Sequence, residues 1–186
     1  KKEFYVFDHW DLFEQFEQES SEVPEKLRSP SLLERLFSAR LDLLKIALKA
    51  QQIELFNCVC ELVNEDINEL KSLKSIAVRE HWKLIHAIAN KGILHEFSAK
   101  TIHTLREEIT PLMRHRDTRN CSATHRFDLL FTRFLLHRLQ DTSTTHDLAG
   151  ALVARVKALP INVSQVEAVI EDVKRAGEDS FWLQES

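Results

Sequence analysis

Residues 114–138 hold six arginines and three histidines against two acids, Asp117 and Asp128, in a chain whose overall charge is -4. On a helix advancing 100° per residue, Arg126, Arg133 and His137 fall on one narrow stripe, and Arg119 joins it if the helix starts early. Lining up cations is repulsive, so an anion should face them. It is either the phosphate backbone of a nucleic acid or an acidic face of the same protein. In the first case Arg114, Arg116, Arg119, Arg126 and Arg133 would be the phosphate contacts. The block is short and lacks the interleaved exposed aromatics of a single-strand binder.

Other chemistry finds less support. The glycines are Gly92, Gly150 and Gly177. A phosphate-binding loop needs two Gly five apart before Lys-Ser/Thr, so it is excluded, as is a Gly-rich dinucleotide loop. Nine His invite a metal site, yet the chain contains neither HExxH nor the Glu-x-x-His of di-iron bundles. His81 and His86 are five apart and fall on different helix faces, so His81 reads as a hydrogen-bonded core or boundary histidine rather than a ligand. His115-Arg116-Asp117 matches a kinase catalytic-loop tripeptide, but Ser122 stands where that motif needs Asn. Cys121, amid Arg114, Arg116, Arg119 and His125, has cationic neighbours that would favour a thiolate. No oxyanion donor or orienting partner can be named for it. Cys58, Cys60 and Cys121 show no pairing pattern, which suits reduced, buried thiols in a cytoplasmic protein.

The elements that would position these residues are helical. Only three Gly and four Pro punctuate 186 residues, so the elements are long. After Pro30, Ser31-Leu32-Leu33-Glu34 is a capping box, and Leu33, Leu36, Phe37, Leu44, Ala47 and Leu48 form one stripe behind it. A second helix carries Ile53, Phe56, Cys60, Val63 and Ile67. The short join at Gln51 and Gln52 implies a hairpin or a bend. A third, about Ser75 to Ala89, should bury Val78, Trp82, Ile85 and Ala89. Ser98 caps a fourth that Pro111 should stop. The fifth, Ser122 to Leu139, has Phe127, Leu129, Leu130, Phe131, Phe134, Leu135 and Leu136 around most of its circumference, and should be central. A sixth spans about Thr145 to Leu159. A seventh starts at the capping box Ser164-Gln165-Val166-Glu167 and breaks at Gly177, where Phe181 and Trp182 would pack back. The expected fold is all-α: an irregular bundle of about seven helices.

The first 26 residues differ. Glu3-Phe4-Tyr5-Val6-Phe7 has the composition of a strand, and Asp11 to Glu19 suits a short helix. Ser20 to Glu25 reads as an acidic, proline-broken linker. A lone strand cannot satisfy its own backbone groups. With no initiator Met, the chain reads as a fragment or a trimmed form of a longer polypeptide, and the whereabouts of the strand's sheet is left open by these residues. The division is therefore 1–26, strand remnant and linker, and 27–186, helical domain. No apolar run approaches a membrane span.

The segments "YVFDHWDLFEQFE", "SLLERLFSARLDLL", "TLREEITPLMRHRD", "HRFDLLFTRFLLHRL" and "LPINVSQV" resemble the C-terminal region of the motor (R) subunit of type I restriction enzymes. The resemblance implies that residues 1–26 are the end of an upstream helicase domain. The parent would be an ATP-dependent DNA translocase and site-specific deoxyribonuclease using ATP and Mg²⁺, with no catalytic residue and no cofactor in this chain. It also implies a docking role towards the methyltransferase and specificity subunits and contact with double-stranded DNA. An auxiliary DNA-backbone-binding domain of a helicase-like protein is the alternative.

Overall fold

The computed structural model describes residues 29–91, 97–118, 121–140, 145–158, 170–171 and 173–175. Among these the fold is an all-α bundle without strands. The expected N-terminal strand, the acidic linker and the capping box at Ser164 lie outside the described residues. So do Gly92, Arg119, Gly177 and the Phe181-Trp182 pair. No described helix is long and apolar enough to cross a membrane.

The first helix, α1 (Leu32–Lys49), begins as its sequence dictates. Ser31 Oγ accepts from the backbone N–H of Glu34 at 3.3 Å, and Glu34 Oε2 accepts from the N–H of Ser31 at 2.6 Å. Its end is also specific. Gln51 N–H donates to Leu48 O and Gln52 N–H to Ala47 O, the paired bonds of a Schellman motif. Gln51 occupies the left-handed position of that motif, at φ 57°. The motif reverses the chain into α2 (Ile53–Ser72), which packs back on α1 as a hairpin.

Burial places α1 at the centre. Leu32, Leu33, Leu36, Phe37, Ala39, Leu41, Leu43, Leu44 and Ala47 are all buried, so water is excluded from almost its whole circumference. Leu48 and Ile53, expected in the core, are exposed at the hairpin turn. The helix expected to be central, α6 (Ser122–Leu139), has the anticipated bounds but buries only Leu129, Thr132 and Phe134. Arg133 is exposed, and Arg126 and His137 on the same stripe are half-buried, so this side of α6 is not covered by the core. It packs α1 on one side and α7 (Thr145–Lys157) on the other. There Phe134, Ala149 and Leu152 form a second, smaller cluster beside the main core.

Two expected helices are broken. The third divides at His81 into α3 (Ile76–Glu80) and α4 (Trp82–Lys91). His81 Nδ1 lies 3.0 Å from the Ala77 carbonyl oxygen, a local side-chain bond that competes with helix propagation. Val78 and Ile85 are buried as expected. Trp82 is exposed and Ala89 half-buried. The fourth is capped by Ser98, as expected, with Thr101 N–H donating to its Oγ. However, α5 (Ala99–Thr104) does not run on to Pro111. It opens into a π turn, Leu105–Ile109, and then tightens into a 3₁₀ segment, Thr110–His115. Pro111 lacks the N–H an α-helix needs and its ring crowds the carbonyl four residues back. The wider turn upstream relieves this, and the Thr110 hydroxyl and N–H both donate to Leu105 O. Helical progress therefore continues through the proline rather than stopping there.

Candidate functional site

The π turn and the 3₁₀ segment set the direction of the basic block. Arg114 reaches back to α1, where its guanidinium holds Glu34 Oε1 at 3.0 Å and Oε2 at 3.1 Å. Glu34 thus serves two ends at once, the N-cap of α1 and the 3₁₀ segment. Two residues on, Arg116 turns into the bundle. Its Nη1 donates to Asp66 Oδ1 at 2.6 Å and its Nε to Glu69 Oε2 at 2.9 Å. Asp66 offers its other oxygen, Oδ2, to Arg40 Nη1 at 2.6 Å. Arg40 Nη2 in turn lies 3.6 Å from Asp128 on α6.

The result is a chain of alternating charge through the middle of the molecule. In order it runs Asp128, Arg40, Asp66, Arg116 and Glu69, linking α6, α1, α2 and the 3₁₀ segment. The central three are 6%, 3% and 8% exposed. Buried charges at such a site must be paired, since an isolated one costs several kcal/mol or more. His125 sits against this network. Burial pushes its pKa below the usual imidazole value, and Arg116 adds to the effect, with Asp128 and Asp66 opposing. Arg106 makes a further, more exposed pair with Asp42 on α1.

The basic residues singled out in the sequence therefore divide. For Arg114 and Arg116 the facing anion is a carboxylate of the same protein. Arg119 lies outside the described residues. Arg126 is half-buried and Arg133 is exposed on the outer side of α6, with His137 half-buried on the same stripe. Sequence reading missed the acidic half of the network and Arg40. The signal was present: Asp66 lies in the apolar row Val59, Val63, Leu70, and Arg40 in the row Leu33, Phe37, Leu44. A charge at a core position of an apolar period implies a buried partner.

The thiols correct another expectation. Cys60 is buried, and burial, with Glu61 nearby, pushes its thiol up to about 11. Cys58 and Cys121 are exposed. Among the described residues no three His, Cys, Asp or Glu side chains come together as a metal site requires. His86 packs edge-on to Trp82, ring centroids 5.0 Å apart, well separated in role from His81.

Compared with known proteins, the chain matches no family model, no curated protein and no solved structure. The reading of its function therefore stands on its own residues.

Proposed function

We propose that the chain is a non-catalytic helical assembly domain that docks a type I restriction enzyme motor subunit onto its methyltransferase and specificity subunits. One structural observation supports this reading beyond the sequence resemblance. Two of the five arginines that would be the phosphate contacts, Arg114 and Arg116, are spent on internal pairs that clamp α1, α2 and the 3₁₀ segment together. Such a clamp suits a pre-organised module that presents a fixed surface, because little ordering entropy remains to be lost on binding. In this reading ATP and Mg²⁺ serve an upstream motor, and the compartment is the cytoplasm. The test is a pull-down of the folded chain with the methyltransferase–specificity core. Retention at micromolar concentration is the expected result, and none at that concentration overturns the proposal.

A second reading, auxiliary contact with the backbone of double-stranded DNA, rests on Arg133, exposed on the stripe of α6. Duplex binding that weakens steeply with salt, with a shallower slope in Arg126→Ala/Arg133→Ala, would favour it. An unchanged slope would discard the stripe.

A further inference from the structure

Away from the arginine network, the end of α2 and the two short helices after it enclose a groove of about 410 Å³, the size range of a binding cleft rather than a packing flaw. Its apolar floor is set by Leu70, Val78 and Ile85, all buried. Trp82 forms one wall while remaining 53% exposed, and Ile76, on the same short helix as Val78, is 76% exposed. An exposed Trp beside an apolar trough is the pattern of a recognition surface, and Ile76 adds exposed apolar area on the short helix of Val78, outside the lining of the groove. The charges around it are of one sign. Lys71, Lys74 and Arg79 line the groove beside His86, and among the described residues no Asp or Glu does. This is against the trend of a chain with more acids than bases. The nearest acid in sequence on α2, Glu69, is held by Arg116.

We propose that this groove binds an acidic amphipathic peptide segment of a partner protein. A bulky apolar side chain of the peptide would sit between Trp82 and the floor, and its carboxylates would lie against Lys71, Lys74 and Arg79. The apolar floor argues against a nucleic-acid backbone, which would use the cations and leave the trough empty. Exposed Trp at the edge of a pocket is the residue type that most often carries interface affinity. The flanking cations supply steering and choice of partner more than raw affinity. The inference deepens the docking reading by naming the face and the chemistry of what it meets.

A phage-displayed random peptide library, selected against the immobilised full chain, tests it. Enriched peptides should carry net negative charge around an aromatic or branched aliphatic anchor. Trp82→Ala should raise their Kd by about tenfold or more, as expected of a central aromatic contact. Lys71→Glu/Lys74→Glu should weaken them further and remove their salt dependence. These positions lie at the surface, and circular dichroism checks that the variants fold. Four results overturn the proposal: no enrichment, enrichment of neutral or basic peptides, indifference to both variants, or displacement of the peptides by duplex DNA. Self-association that disappears with Trp82→Ala would assign the groove to a second copy and overturn it too. The two proposals also separate. Capture of the modification subunits by Trp82→Ala as well as by wild type, with no peptides selected, sinks the groove and spares the docking role. Selected peptides with no capture does the reverse.

Discussion

Asp66 shares its two oxygens between arginines from different elements, so removing it does more than delete one contact. Asp66→Ala leaves Arg40 and Arg116 buried with one carboxylate fewer, and the expected cost is about 3–5 kcal/mol in urea unfolding. Replacing the set together, Arg40→Met/Asp66→Leu/Arg116→Met, should cost far less, since a packed apolar trio needs no charge partner. A triple variant as unstable as Asp66→Ala would show that the charges themselves hold the fold. His125 adds a pH dependence. Its pKa is lowered in the fold, so the unfolded chain binds the proton more readily. The stability it contributes is present above the ordinary imidazole value of 6.5 and is lost as pH falls from there towards the lowered native value. Denaturant midpoints measured across that window should fall with pH in the wild type, and His125→Gln should flatten part of the fall. None of these pairs was legible in sequence. Arg116 and Asp66 are 50 residues apart and Arg114 and Glu34 are 80 apart. Local spacing showed that an anion was needed, not where it would come from.

Element boundaries followed local chemistry, and sequence reading succeeded where that chemistry is self-contained. The Ser31–Glu34 box and the Ser98 cap both start helices as their spacing implies. Reading was less successful where two neighbouring effects compete. Pro111 ends an α-helix in isolation, but here the π turn absorbs it, and that outcome depends on packing against α1. His81 breaks a continuous apolar period through a bond that periodicity does not register. Two sites test the backbone argument. Gln51 bears a side chain at a left-handed position, which costs roughly 1 kcal/mol, so Gln51→Gly should stabilise by about that much. Gly150 lies inside α7, where an added Cβ would meet open space. Gly150→Ala should add about 0.5–1 kcal/mol. Thermal melts of each variant decide the matter, and a lower melting point for either would refute the local account.

For the whole molecule, the placing of the core separates α1 from α7. α1 is surrounded by buried apolar residues and two buried ion pairs, while α7 is held through the smaller cluster of Phe134, Ala149 and Leu152. Native-state hydrogen exchange should therefore find buried α1 amides opening only with global unfolding. Amides of α7 should open at lower free energy, exchanging at least about tenfold faster. Equal protection would mean that the two clusters act as one. The expectation that α6 is central was reasonable from its circumference alone, but the stripe of Arg126, Arg133 and His137 leaves one side of it outside the core. The π turn has a broader consequence. It supplies the extra residue that turns Arg114 and Arg116 towards their carboxylates. Losing one residue between 105 and 110 would rotate everything downstream by about 100° and aim both guanidiniums at solvent. The molecule should accept exchanges of side chain at the exposed Glu107 and Glu108, yet fail on a single codon lost from this segment.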